Sequence, residues 1–215
     1  MNPEVTSVCA EYLAAASPVR TMTNAELTDQ LRTADIDPAE FSRILDLNDS
    51  FGGLQLPMPD PRPSIFHTIG ISPRLRIDRS ATTSVPFFDF GVAAPCGIEI
   101  LSSGAVVADF SNDLPPVEVA DSFEVFLEGL AREWLAPQLF ETSDGRELPG
   151  NITDAMHGLQ ADGQVAPASD RWTTWWHTDD YLARLSTMWD YQRTVRFVVW
   201  HGGSIPNAFA HLFAN

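Results

Sequence analysis

Residues 119–134 read Val-Ala-Asp-Ser-Phe-Glu-Val-Phe-Leu-Glu-Gly-Leu-Ala-Arg-Glu-Trp, and they carry the strongest amphipathic signal in the chain. Phe123, Phe126, Leu127 and Leu130 stand at i, i+3, i+4 and i+7, which places them on one face of an α-helix. Asp121 or Ser122 supplies the N-cap, and the helix is predicted to end near Trp134, before Pro137. One apolar stripe of this width needs a partner surface. The sequence on its N-terminal side offers one.

Short β-type runs occupy residues 64–71, 74–79, 84–92, 97–101 and 105–110. Leu75 and Ile77 alternate with Arg74, Arg76 and Asp78, the period-2 pattern of a half-buried strand. Ser102-Ser103-Gly104 separates the last two runs as a hairpin turn. Farther back, residues 1–20 look helical around Tyr12, Leu13 and residues 14–16, up to a break at Pro18. Thr23 with Glu26 three residues later has capping-box spacing ahead of Leu27 and Leu31. Asp37 and Pro38 open another helix, whose apolar residues are Phe41, Ile44, Leu45 and Leu47. Gly52-Gly53 stops it and calls for a positive φ in at least one glycine. The next segment carries Pro57, Pro59, Pro61 and Pro63 and suits neither a helix nor a central strand.

On the C-terminal side, residues 141–171 are rich in Gly, Asp, Pro and Ser and read as a linker or a long loop. Thr178-Asp179-Asp180 then reads as the start of a helix with Tyr181, Leu182, Leu185, Met188 and Trp189 on one face. Residues 194–200 read as a buried strand ended by His201-Gly202-Gly203, and residues 208–213 as a short closing helix. The expected organisation is a domain over residues 1–140, a linker over 141–171, and a Trp-rich segment over 172–215 packed on the same domain.

At 215 residues and 44% hydrophobic composition, the chain can bury a real core without metal or disulfide. No stretch is long and apolar enough for a membrane span, and Glu4 and Glu11 precede the first basic residue, Arg20, unlike a secretory leader. A cytoplasmic location is the expectation. Cys9 and Cys96 are too far apart for a zinc pair and read as free thiols. The chain holds 29 acidic residues against 13 basic ones, all arginine, for a net charge of −16. Such a charge repels nucleic acid and attracts a basic protein. It is also uneven: residues 1–165 hold 25 acids and nine arginines, whereas residues 166–215 hold four of each.

The absence of lysine excludes a Walker lysine or a Schiff-base lysine, and no glycine-rich nucleotide motif or GxSxG elbow occurs. No cofactor is expected. The remaining catalytic or metal-binding candidates are His177, Asp179, Asp180 and His201, which an enzyme would have to bring together in one pocket. His157 and His211 add no metal-ligand spacing, so the structural reading of these histidines is preferred. Asp78, Asp89, Glu99 and Asp109 fall in or beside strands and read as the solvated side of an antiparallel sheet. Trp172, Trp175, Trp176, Trp189 and Trp200 fall within 29 residues. Trp189 and Trp200 read as core, while Trp172 and Trp175 flank Thr173 and Thr174 and read as partly exposed.

Residues 37–135 resemble the SMI1/KNR4, or SUKH, superfamily. The likeness rests on a helix running into a Gly-Gly turn (residues 41–45 to Phe51-Gly52-Gly53-Leu54) with Pro57 just after it. Consecutive short strands follow, then a strand pair with a glycine turn over residues 98–107, then Val119-Ala120-Asp121-Ser122-Phe123-Glu124-Val125-Phe126-Leu127. This last stretch is similar to the family's A-x-S-F-x-x-F-L helix start. The resemblance implies an α+β fold, a twisted antiparallel sheet packed with helices, here extended by the Trp-rich segment. It also implies a non-enzymatic immunity protein that neutralises a polymorphic toxin, often a nuclease, by direct binding. A metal- or carboxylate-dependent enzyme and a regulatory scaffold are the alternatives. On the immunity reading, Asp109 and Asp113 are expected to speed association with a basic toxin domain, and Trp172, Trp175 and Trp176 to supply the apolar anchor.

Overall fold

The computed structural model describes residues 5–57, 69–74, 84–86, 88–89, 97–110, 115–156, 159, 161–187 and 194–213. Four helices begin where local chemistry satisfies their first N–H groups. Thr6 caps α1 (Ser7–Ala14) by accepting from the Cys9 N–H. Thr23 and Glu26 form a reciprocal capping box on α2 (Asn24–Thr33). Asp37 caps a 3-10 turn over Pro38–Phe41, which continues into α3 (Ser42–Phe51). Ser122 caps α4 (Phe123–Leu139), which runs on through Pro137 to Leu139 rather than stopping before the proline.

The fold is α+β, and among the described residues every strand pair is antiparallel. The described strands make three four-stranded sheets. The first is ordered β1 (Ser17–Pro18), β2 (Leu54–Leu56), β3 (Ile69–Ile71), β5 (Phe88–Asp89). The second is ordered β4 (Ser84–Pro86), β6 (Gly97–Leu101), β7 (Val106–Asp109), β8 (Val117–Ala120). Ser102-Ser103-Gly104 makes the hairpin between β6 and β7, with Gly104 at φ +92°. Strand β8, immediately before α4, had no sequence expectation of its own. The expected strand over residues 74–79 lies almost wholly outside the described residues.

The turn after α3 uses its two glycines differently. Gly53 adopts φ +81°, as the double glycine requires. Gly52 keeps a negative φ but lies so close to Asn48 that a Cβ would sit 2.1 Å from its Oδ1.

The third sheet is ordered β10 (Thr173–His177), β11 (Tyr181–Thr187), β12 (Thr194–His201), β9 (Thr142–Pro149). Two expectations are corrected here. Residues 142–149, read as part of a linker, form β9, which is paired along its whole length with β12. Its sequence, TSDGRELP, has almost no apolar content, so its strand state comes from ladder hydrogen bonds to a buried neighbour. Residues 181–187, read as a helix, form β11. The apolar set there fits either period. It resolves as strand because Leu182 and Ala183, adjacent in sequence, are both buried, on opposite faces of the sheet. Met188 and Trp189 lie outside the described residues.

Helix α4 is the hinge of the packing. Phe123, Leu127, Leu130 and Ala131 enter a core shared with Cys9, Tyr12, Leu27, Leu31, Ile44 and the first two sheets. Full burial of each large side chain contributes roughly 1.5–3 kcal/mol. Phe126, expected on the buried face, is only partly buried at the edge of this core. Farther along the helix, Ala136, followed by Phe140, packs on one face of the third sheet against Trp175, Leu182, Val198 and Trp200. The opposite face of that sheet is closed by α5 (Ile152–Met156) and α6 (Asn207–Phe213), with Phe209 fully buried against Trp176, Tyr181 and Phe197.

Candidate functional site

Strand parity decides the fate of the histidine–aspartate constellation. In the third sheet His177 is opposite Leu182, which is opposite Trp200, so all three point to the α4 face. His201 is opposite Tyr181 and points to the α6 face. The two histidines are therefore separated by the sheet and do not converge. His201 is buried, and its Nε2 lies 2.8 Å from Asp144 Oδ2 on β9. His177 is half-buried and its pKa is lowered, chiefly by burial and then by the Arg132 charge, with Asp179 opposing. Asp179 and Asp180 are exposed and line an open cleft of about 600 Å³ with Leu139, Phe140, Tyr181 and the loop over residues 202–207. Neither histidine lines it. Among the described residues no three His, Cys, Asp or Glu side chains gather as a metal site.

The tryptophans are also redistributed. Trp175 and Trp176 are neighbours in β10 and so point to opposite faces, both buried. Trp175 stacks with Trp200 at 6.0 Å, and a Cβ at Gly129 of α4 would sit 3.4 Å from its Nε1. Trp176 packs on Phe209. Neither is available as a surface anchor for a partner, which corrects the expectation for Trp175 and Trp176. Trp172 is half-buried, with the Arg171 guanidinium 4.7 Å above its ring. Arg171 in turn pairs with Glu118 and Asp121, tying the start of β10 to the start of α4. Asp109 closes β7 and is half-buried. Asp113 lies outside the described residues, as do Cys96 and His157. Glu99 is buried on β6 rather than solvated, and the side chains of Asp78 and Asp89 are not described.

Two ion pairs lie along α4, one in the interior and one half-buried. Glu128 and Arg132 pair at 2.6 Å, each 3% exposed. Glu128 also accepts from the Thr6 N–H at 2.8 Å and the Thr6 hydroxyl at 2.7 Å, which fastens the start of α1 to α4. One turn on, Glu133 pairs with Arg184 of β11, whose guanidinium lies over Trp175 and whose pKa burial lowers to about 10, with the Arg196 charge adding. Through Thr6 and Arg184 these pairs join α4 to α1 and to the third sheet.

The acidic surface is elsewhere. Residues 24–51, spanning α2, the 3-10 turn and α3, carry seven acids against two arginines, a net charge of −5. Glu26, Asp29, Asp35, Asp37, Glu40, Asp46 and Asp49 are all exposed. Leu27, Leu31, Phe41, Ile44 and Leu47 turn the other way into the core. Arg32 is engaged by Asp29 and Arg43 by Glu124. Helical periodicity contained this face: every acid lies off the apolar stripe that the sequence already marks.

Comparison with protein-family models, with curated proteins and with solved structures returns no match for the chain. Among the described residues no helix is long and apolar enough to cross a membrane.

Proposed function

We propose that this chain is a non-enzymatic, cytoplasmic binding protein of the immunity type, related to the SMI1/KNR4 group, that neutralises a basic toxin domain by covering it. The observation that carries this reading is the α2–α3 face, with seven exposed carboxylates and both of its arginines already engaged. A nuclease presents a basic cleft to its substrate, and an acidic protein surface competes for that cleft while speeding encounter. On this reading the contact surface centres on α2 and α3, since Trp175 and Trp176 are buried and cannot supply the anchor.

The reading predicts a basic toxin domain encoded beside this gene, and the test is a kinetic titration against that domain. Asp35→Asn, Glu40→Gln, Asp46→Asn and Asp49→Asn together remove four charges without touching an N-cap, and Asn accepts the positive φ of 59° that position 35 adopts at the C-terminal end of α2. Association should slow several-fold while dissociation changes little, and the wild-type rate should fall as salt rises. Salt-independent association, or full toxin activity with excess protein present, rejects the proposal.

A further inference from the structure

Among the described residues, strand β9 is the outer strand of the third sheet, eight residues long and paired on one side only. An exposed edge of this length offers alternate N–H and C=O groups to another strand. We propose that β9 pairs with β9 of a second copy of this chain, antiparallel about a two-fold axis at Gly145, to give a continuous eight-stranded sheet.

The register follows from geometry. In an antiparallel ladder, opposed residues either both point their backbone groups across the gap or both point them away. Two copies of one strand share the same outward set, so only residues of like parity can oppose each other. An axis at Asp144 sets Asp144 against itself, and an axis at Arg146 sets Arg146 against itself; both juxtapose like charges. The axis at Gly145 sets Asp144 against Arg146 of the second copy, twice by symmetry, with Ser143 against Glu147 and Thr142 against Leu148. Pro149, which has no N–H to give, falls just outside this ladder.

The glycine itself is the second observation. A Cβ at position 145 would meet only ordinary contacts, 3.6 Å from Phe197 O and 3.7 Å from Val198 Cγ2. Packing within one copy therefore does not demand glycine there, and a glycine inside a strand suits a site where another backbone approaches closely. The charged partners are in reach of such a contact. Asp144 lies 2.8 Å from His201 Nε2 through Oδ2, and Arg146 donates Nη1 to Leu212 O, so both side chains stand on the same face of the sheet.

This self-association does not depend on the proposed partner, and its salt dependence has the opposite sign. Each copy carries −16, so screening this repulsion tightens the pairing as salt rises. Sedimentation equilibrium of the full chain from micromolar to millimolar concentration is expected to show a monomer–dimer equilibrium. Arg146→Asp and Asp144→Arg should each weaken it about tenfold or more, because one substitution spoils both symmetric pairs. An equimolar mixture of the two variants should dimerise again, since each then faces its opposite. In the wild type, amide protons of residues 142–148 that alternate along β9 should gain protection from exchange as concentration rises. A monomer at every concentration, a dimer insensitive to both reversals, or a dimer without added protection in β9 overturns the proposal.

Discussion

Removing the carboxylate of Glu128 tests whether α4 holds the N-terminal helix through a buried charge. In the wild type this carboxylate accepts from Arg132 at 2.6 Å and from the Thr6 N–H and hydroxyl at 2.8 and 2.7 Å. Glu128→Ala leaves the Arg132 guanidinium 3% exposed with no counter-charge, and its Nε already lacks a hydrogen-bond partner. Breaking one side of a buried pair in this way costs about 3–5 kcal/mol, a large part of the roughly 5–15 kcal/mol that stabilises a typical domain. With a urea slope of about 3 kcal/mol per molar, the unfolding midpoint should fall by about 1–1.7 M. Replacing both partners, Glu128→Leu with Arg132→Met, should recover most of the loss, because no unpaired charge remains. A second readout isolates the electrostatic part. Burial, with the Glu128 charge behind it, pushes the Cys9 thiol up to about 12, while Arg132 pulls it down. In Glu128→Ala only the lowering charge is left, so the thiol pKa should drop and alkylation at pH 9 should quicken beyond the rate explained by unfolding. A midpoint change worth less than about 1 kcal/mol, or a double variant no better than the single one, would refute the reasoning.

Alkaline stability should carry the mark of the same core. The Cys9 thiol titrates at about 12 in the fold against 9.0 unfolded, so the native state holds more protons between these values. Its contribution is complete below pH 9 and is lost on going up to pH 12, at no more than about 1.4 kcal/mol per pH unit. Tyr12, likewise raised by burial, adds to the loss above its ordinary value of 10.0. Urea midpoints that stay flat from pH 9 to 11 would contradict this. Gly53→Ala should destabilise by about 1–2 kcal/mol, because φ +81° strains any residue with a Cβ. Gly52→Ala should do more harm, since its Cβ would lie 2.1 Å from Asn48 Oδ1; equal midpoints for wild type and both variants would remove the basis for the double glycine.

The parts of the molecule legible in the sequence are those whose cause is local. Thr23 with Glu26, Asp37 with Pro38, and Ser122 before Phe123 place helix starts to within a residue or two, because each cap satisfies N–H groups only a few positions away. Gly52-Gly53 and Gly104 mark turns for the same kind of reason, a φ that other residues avoid. The acidic face of α2 and α3 was equally readable, as the complement of an apolar stripe.

What the sequence could not settle depends on partners far away along the chain. Strand β9 has little apolar content of its own and becomes a strand because β12, some fifty residues on, supplies its ladder. Residues 181–187 carry an apolar pattern compatible with helix and strand. The choice falls to strand because α4 buries one side and α6 the other, which no single helical stripe can satisfy. The candidate site followed the same rule. Composition and charge alone pointed to a basic partner, but whether His177 meets His201, or whether Trp175 reaches the surface, depends on strand parity. One residue of register sends a side chain to the opposite face of a sheet, and only the tertiary pairing fixes that register.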